Sequence, residues 1–208
     1  MFITLEGIEG SGKTTQVNNI CRFLENKGHH CVFTREPGGT KIGRKIRSIL
    51  LDPENKGMES MTELLLYFSD RVEHVNKLIE PSLAEGKTVI CDRYFDATLV
   101  YQGYARGLDI KLITRLHELV LEGLKPDLTL LLDLSPETGL SRAWKQIGNG
   151  SRSGDETRFE KEALSFHEKI RAGYLELSRL EPQRFRVIDA SQKRNRVQMD
   201  IEKVLALI

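Results

Sequence analysis

The 208-residue sequence predicts an α/β fold: an open parallel five-stranded sheet with helices on both faces, plus a mobile lid. Short apolar segments alternate with longer segments of helical periodicity, as expected when helices connect parallel strands. One segment, residues 148–155, has no apolar side chain and cannot contribute to a core. We therefore expect a single domain over residues 1–208, with the lid at about residues 142–160.

Five segments have the apolar pattern of strands: residues 2–5, 31–34, 88–91, 128–132 and, more weakly, 185–188. The fourth is nearly all apolar, which is typical of a strand buried on both faces. Ligands of such sheets bind at the carboxyl ends of the strands. The residues expected along that rim are Glu6, Gly7, Arg35, Glu36, Asp92, Arg93 and Asp133.

Helical patterns cover residues 14–27, 62–80, 110–121, a segment from about residue 136, residues 158–179 and residues 196–207. Gly28 and Gly123 follow the first and third patterns as expected stops, and Pro81 is expected to end the second. The chain between residues 101 and 107 is instead expected to form a glycine-punctuated turn.

Residues 7–14 read GIEGSGKT and match the phosphate-binding P-loop G-x-x-x-x-G-K-[ST] between a predicted strand and a predicted helix. Glycines let successive backbone N–H groups point at phosphates, and the helix N-terminus adds partial positive charge. Lys13 would reach the β- and γ-phosphates, and the Thr14 hydroxyl would bind Mg²⁺. The predicted polyphosphate site comprises Gly7, Ile8, Glu9, Gly10, Ser11, Gly12, Lys13, Thr14 and Thr15.

Asp92 and Arg93 directly follow the third predicted strand. A carboxylate at that position can hold Mg²⁺ through water beside Thr14. A guanidinium binds phosphate oxygens in a bidentate fork, so Arg93 suits a phosphoryl group in transfer. A surface ion pair is the alternative, and the rim position makes it the weaker one.

Several cations follow the second predicted strand. Arg35 stands at the mouth of a turn that Pro37 and two glycines force, and Arg44, Lys45 and Arg47 come soon after. These three cations indicate either a solvated helix face or an anion site, and the sequence favours neither.

Tyr67 and Arg71 are four residues apart and share one side of a predicted helix. They could recognise a base by stacking and hydrogen bonding, although core packing is the more common role of a helical aromatic. Gln102 could read a base edge, because its amide both donates and accepts.

The loop at residues 148–155 is flanked by Arg142, Lys145, Arg152 and Arg158. It is either a solvated linker or a lid that closes over phosphate and supplies arginines. The P-loop favours the lid.

Composition narrows the functional classes. The net charge of +1 gives no overall positive field that would attract nucleic acid or an anionic membrane. No apolar run has the length of a membrane span. A strand predicted from residue 2 leaves no room for a signal peptide. The odd count of three cysteines indicates reduced core residues. We expect a cytoplasmic protein without nucleic-acid or membrane partners.

Two other P-loop classes lack support. The switch motifs of GTPases, N-K-x-D and D-x-x-G, do not occur, and neither does the LSGGQ signature of transport ATPases.

The chain has a series of motifs in this order: the P-loop, REPGGT, an aromatic with Arg four residues later, DRY, YQGYARG, PDLTLLLDL and a lid with TRFE. Together they resemble the thymidylate kinases of bacterial type, over residues 1–191. The P-loop marks only a superfamily, whereas REPGG with DRY and YQG is more specific. The resemblance implies a P-loop kinase fold, transfer of the γ-phosphoryl group of ATP to dTMP to give dTDP, and Mg²⁺. It also implies a homodimer, for which Leu64, Leu65 and the helix at residues 110–121 are candidates.

The resemblance also implies roles for individual residues. The catalytic group would be Lys13, Arg93, Asp92, Arg158 and Arg152, with Thr14 and Asp92 at the metal. Lid arginines would supply a cation that the P-loop lacks, and Arg142 would lie against adenine. The residues implied at dTMP are Glu9, Arg35, Pro37, Arg47, Tyr67, Arg71, Arg93, Thr98, Tyr101 and Gln102.

The chain departs from the family pattern at three positions. Tyr67 replaces the usual Phe, so its hydroxyl needs a partner. Arg44 stands where Glu is frequent, and Ala97 stands where Ser is usual. A polar contact to the base is then expected from Thr98 or from water.

Overall fold

A computed structural model describes residues 1–151 and 153–207. Five parallel strands form one sheet in the order β2-β3-β1-β4-β5. The strands are β1 (Phe2–Glu6), β2 (Cys31–Arg35), β3 (Thr88–Asp92), β4 (Leu128–Asp133) and β5 (Phe185–Asp189). The predicted parallel five-stranded sheet and all five predicted strands are confirmed, and the mobile lid stays a prediction.

Every strand runs one residue further than predicted, and each added residue is charged: Glu6, Arg35, Asp92, Asp133 and Asp189. Backbone pairing continues past the last apolar side chain, because the ladder needs only N–H and C=O groups. The register sets Leu5 of β1 beside Asp92 of β3, and Glu6 beside Leu131 of β4. The charged ends of the strands therefore share one edge of the sheet.

Helices cover the sheet, and β1 and β4 are buried almost throughout. The described helices are α1 (Lys13–Glu25), α2 (Lys41–Leu51), α3 (Ser60–His74), α4 (Glu80–Ala84), α5 (Phe95–Thr98), α6 (Ile110–Leu121), α7 (Pro136–Gly148), α8 (Leu164–Leu180) and α9 (Arg194–Leu205). Two π-helical segments, Val75–Ile79 and Leu99–Ala105, follow α3 and α5. Across residues 1–151 and 153–207, no helix is long and apolar enough to cross a membrane.

Three helical predictions were wrong. Pro81 does not end a helix, because the chain stays helical from α3 through the π-helical segment Val75–Ile79 into α4, and Pro81 lies where the π-helical pattern of hydrogen bonds ends. The chain between residues 101 and 105 is π-helical rather than a turn. The longest helix starts at Leu164 and not near Arg158, whose backbone N–H instead donates to Leu51 O at 3.2 Å.

The P-loop packs against α7 through two glycines. A Cβ on Gly10 would overlap the carbonyl oxygen of Gly139, and a Cβ on Gly139 would lie 2.5 Å from Glu9 O. Gly10 also has a φ of +69°, which side chains other than glycine rarely adopt. The loop therefore takes its position from backbone-to-backbone contact with α7.

We expect Gly139→Ala to lower the free energy of unfolding by about 1–3 kcal/mol, because the added methyl group must displace the P-loop backbone. Urea unfolding measures this change. The matched control is Gly148→Ala at the end of the same helix, where a Cβ meets nothing within 4 Å. That variant should equal the wild type or exceed it by up to about 1 kcal/mol. Equal stability of the two variants would contradict the packing argument.

Candidate active site

A cleft of about 570 Å³ opens along the charged edge of the sheet. Most of the residues predicted for a site line it. These are Glu9, Gly10, Gly12, Lys13, Thr14, Thr15, Arg35, Pro37, Arg47, Tyr67, Arg71, Asp92, Arg93, Thr98, Tyr101 and Gln102. The fold thus brings together segments that are far apart in the sequence.

The P-loop lies at the floor of the cleft, and its lysine is folded over it. Lys13 Nζ donates to Gly7 O at 2.9 Å and to Ile8 O at 3.1 Å, and it lies 3.4 Å from Ser11 Oγ. Burial, followed by the charge of Arg93, lowers the pKa of Lys13 to about 8. An anion in the loop would favour the charged ammonium and oppose that shift.

Arg93 joins the P-loop to the end of β3. Its Nη2 donates to Glu9 Oε1 at 3.0 Å, and its Nη1 donates to the Tyr174 hydroxyl at 3.3 Å. Its backbone has a φ of +68°, a strained conformation for a residue with a Cβ. Its guanidinium carbon lies 4.9 Å from the centre of the Tyr101 ring. These contacts with Glu9, Tyr174 and Tyr101 hold Arg93 in the strained conformation.

Glu9 is buried and strongly paired. It accepts a hydrogen bond of 2.5 Å from the Tyr101 hydroxyl, and His167 Nδ1 lies 3.3 Å from its Oε2. Burial raises the pKa of Glu9, but the charge of Arg93 and the contacts with His167 and Tyr101 outweigh burial and hold the pKa below its usual range. The carboxylate is therefore ionised within the cleft.

Arg71 is almost fully buried at the wall of the cleft. Its Nε donates to Glu36 Oε2 at 2.8 Å, and its Nη2 donates to Thr98 Oγ1 at 2.7 Å and to Tyr94 O at 3.3 Å. Within residues 1–151 and 153–207, its Nη1 has no hydrogen-bond partner. Tyr67, one turn earlier on α3, lines the same cleft. One N–H-bearing atom of a buried cation is thus left for a ligand.

Glu36 holds Arg71 in place and is held in turn by His74. His74 Nδ1 lies 3.0 Å from Glu36 Oε1, and its Nε2 lies 2.6 Å from Thr34 Oγ1. Burial raises the pKa of Glu36, but Arg71 and His74 together bring it below its ordinary value. Arg71 therefore has little freedom to turn.

The sequence left open whether Arg44, Lys45 and Arg47 form a solvated helix face or an anion site. Arg44 and Lys45 are exposed, whereas Arg47 turns into the cleft. Arg47 forms two bonds with Glu156, at 2.9 Å from Nε and 2.6 Å from Nη2, and Nη1 donates to Pro37 O at 3.0 Å. A carboxylate on this guanidinium occupies the geometry that a phosphate would use.

Two predicted arginines do not line the cleft. Arg142 donates from Nη1 to Ala190 O at 3.0 Å. Arg158 is buried, with Nη2 at 2.6 Å from Glu63 Oε2 and Nε at 2.5 Å from Leu50 O. A role at a phosphate would require Arg158 to leave Glu63. The predicted residue Arg152 lies outside the described residues.

Sequence reasoning did not identify Glu63 or Tyr174 as part of the site. Glu63, Tyr67 and Arg71 follow one another at intervals of four residues, so extending the pattern back one turn would have found Glu63. Tyr174 lies within a long helix and shows no local pattern that separates it from a core aromatic. The contacts of both depend on tertiary structure.

The comparisons with known proteins agree with one another. The family described as thymidylate kinase matches residues 5–201. A thymidylate kinase of Desulfosudis oleivorans is 60% identical over 91% of this chain and 89% of its own length. One of Oleidesulfovibrio alaskensis is 49% identical over 99% of this chain and 97% of its own length. The crystal structure of an Ehrlichia chaffeensis thymidylate kinase superposes with a TM-score of 0.77 at 35% identity, covering 99% of this chain and 98% of that one.

Glu6, at the end of β1, generates a prediction about pH. It accepts from Tyr94 N at 2.8 Å and from the Tyr174 hydroxyl at 2.6 Å, and burial, followed by the charge of Asp96, raises its pKa to about 8 from an ordinary 4.5. The folded protein therefore keeps a proton that the unfolded chain releases. This contribution to stability is fully present below pH 4.5 and is lost as the pH rises through 8.

The amide of Glu6→Gln stays neutral at every pH. We therefore expect this variant to gain about 1–3 kcal/mol of unfolding free energy relative to the wild type as the pH rises from 5.5 to 8. Urea unfolding at several pH values gives the difference, with Glu118→Gln on the exposed face of α6 as the control. A difference between Glu6→Gln and the wild type that does not change with pH would contradict the assignment.

Proposed function

The chain belongs to the thymidylate kinase family, and it phosphorylates dTMP to dTDP with ATP; we propose that the cleft described above is where this transfer takes place. The observation that carries the proposal is the unpartnered Nη1 of buried Arg71, beside Tyr67. A buried cation with one unused donor needs an acceptor. The O4 carbonyl of thymine supplies one.

In this proposal the base lies between Tyr67 and the wall of the cleft that the end of α5 and the π-helical segment Leu99–Ala105 form. The Tyr67 ring stacks on thymine, Arg71 donates to its O4, and the Gln102 amide meets its N3 edge. Thr98 and Tyr101 line the same wall. The Thr98 hydroxyl accepts a hydrogen bond from Arg71 and so orients that guanidinium. Thr98 thus places a hydroxyl group one residue after Ala97, the position at which the family usually has a serine.

The phosphate of dTMP binds Arg47 and Arg93, with Arg35 at the mouth of the cleft. Arg47 must first exchange Glu156 for the phosphate, since Glu156 uses two of its donors. Pro37 O keeps the third donor and so keeps the guanidinium in position. Glu9, held by Arg93 and Tyr101, is placed for a sugar hydroxyl.

The polyphosphate of ATP binds the P-loop amides, and Lys13 turns from the loop carbonyls to the phosphates. Phosphoryl transfer needs alignment and neutralised charge rather than an enzyme nucleophile. The attacking group is already a phosphate anion, so a strong general base is unnecessary. Arg93 lies between the two nucleotides and stabilises charge on the group in transfer.

The residues present fit a magnesium ion. Thr14 and Asp92 offer the hard oxygen ligands that Mg²⁺ prefers, and both line the cleft. Asp92 Oδ1 is buried and has no hydrogen-bond partner within the described residues. When bound, the ion would neutralise charge on the ATP phosphates.

A homodimer and a cytoplasmic location stay predictions. On α3 and α6, Leu65, Leu112 and Leu119 are exposed and could contribute to a dimer interface. Leu64 is fully buried and cannot.

A panel of acceptors tests the proposal directly. With ATP and Mg²⁺, a coupled assay for ADP over dTMP, dUMP, dCMP, dGMP, UMP and thymidine should give the highest kcat/KM for dTMP. Thymidine should be poor, because it lacks the phosphate that Arg47 and Arg93 bind.

Arg71→Met should lower kcat/KM for dTMP by at least about tenfold, since O4 loses a donor from a charged group. Wild-type activity in that variant would exclude Arg71 from the base site.

Lys13→Ala should lower kcat about 10²–10³-fold, since it removes a positive charge from the phosphate being transferred. Its thermal midpoint should stay close to that of the wild type, because the carbonyls that Lys13 now binds can turn to water. Lys27→Ala, outside the cleft, is the matched control. A near-normal rate for Lys13→Ala would refute the role.

A further inference from the structure

We propose that Glu63 is a positioning residue that selects the acceptor base, by fixing the Gln102 amide so that its oxygen faces the cleft. The proposal rests on the placement of thymine beside Gln102 in the proposed function. It adds a specificity determinant that does not itself contact the base.

The contact between the two side chains is short and fully buried. Glu63 Oε1 accepts from Gln102 Nε2 at 2.8 Å, and neither residue is more than 1% exposed. A carboxylate has only acceptors, so the amide must turn its NH₂ group toward Glu63. The reversed amide would bring two oxygens together at that distance. The pair therefore permits one orientation of Gln102.

Cations hold the carboxylate so that it cannot adapt to a reversed amide. Arg158 Nη2 lies 2.6 Å from Glu63 Oε2, and Arg106 contacts the two carboxylate oxygens at 3.4 Å from Nε and Nη2. These contacts come from two other segments of the chain. Arg158, which does not line the cleft, thus acts on the proposed base site through Glu63.

The cleft then presents a donor and an acceptor in fixed order. Arg71 Nη1 has no hydrogen-bond partner within the described residues, and the bond from Gln102 Nε2 to Glu63 leaves the amide oxygen of Gln102 for the base. Thymine and uracil have the complementary edge, with an O4 acceptor and an N3–H donor. Cytosine has the reverse, an amino group at C4 and an unprotonated N3. Burying mismatched polar groups is costly, so this order rejects cytosine.

The experiment compares two substrates that differ only at this edge, dTMP and 5-methyl-dCMP. Their ratio of kcat/KM is measured for the wild type, Glu63→Gln, Glu63→Asp and Gln102→Ala. The ratio is independent of how much enzyme is folded, so a purely structural role of Glu63 would not change it. Glu162→Gln is the matched control, since Glu162 binds Arg106 at 2.6 Å from the outer side.

We expect the ratio to fall at least about tenfold in Glu63→Gln, because an amide at position 63 accepts either orientation of Gln102. Glu63→Asp keeps the charge for Arg158 and Arg106 but withdraws the carboxylate by about 1.5 Å, so the ratio should fall there too. If Glu63→Gln does not fold, Glu63→Asp decides. Glu162→Gln should keep the wild-type ratio. In Gln102→Ala the ratio should fall, and adding a Glu63 substitution should lower it no further.

A wild-type ratio in a folded Glu63 variant, together with a lowered ratio in Gln102→Ala, would overturn this inference and leave the proposed function intact. A Glu63 effect of equal size in the Gln102→Ala background would also overturn it, because Glu63 would then act by another route. An unchanged ratio in Gln102→Ala would refute the placement of the base itself.

Discussion

The geometry of the cleft depends on the ion pair between Arg93 and Glu9. Arg93, directly after β3, has a left-handed conformation that costs free energy, and its guanidinium bridges the P-loop and Tyr174 of α8. Without Arg93, a buried Glu9 carboxylate would lose its strongest compensation for burial. Arg93 therefore contacts both the P-loop and α8 from the end of the third strand, and His167 of α8 adds a second contact to Glu9. In the proposed function, the Arg93 side chain lies between the donor and the acceptor phosphates.

The same constraint, that buried charges must be paired, shapes the rest of the site. Glu36 pairs with Arg71, Glu63 with Arg158 and Asp96 with Arg184, each at 2.6–2.8 Å and nearly excluded from solvent. Such pairs contribute little net stability, but they hold side chains in one arrangement. Some buried polar atoms of the described chain nevertheless lack a hydrogen-bond partner, and Arg71 Nη1 and Asp92 Oδ1 are two of those that belong to residues lining the cleft. In the proposed function, the thymine base and a magnesium ion would supply the missing partners of these two atoms.

Sequence reasoning succeeded where the determinants are local. The P-loop, the five strands and the shared face of Tyr67 and Arg71 follow from spacing within one element. It failed where tertiary contact overrides the local pattern. The helix predicted to stop at Pro81 continues past it, after a π-helical segment. Arg158 was predicted to begin a helix but lies outside it, in a buried contact with Glu63. No spacing within the chain reveals that Glu63 contacts both Gln102 and Arg158, because these residues meet only when α3, the Leu99–Ala105 segment and the chain before α8 pack together.

In the proposed function, the contact between Arg47 and Glu156 links binding of the acceptor phosphate to the chain before α8. Phosphate and Glu156 compete for the same two donors, so a phosphate on Arg47 releases Glu156. Phe159, three residues later, lines the cleft beside Tyr101, at 5.3 Å between ring centres. In that proposal, displacement of Glu156 would therefore act on the segment that also borders the base. Because such coupling is reciprocal, a change that removes the contact of Glu156 with Arg47 would strengthen binding of a phosphate there by the free energy that the phosphate otherwise spends on displacing Glu156.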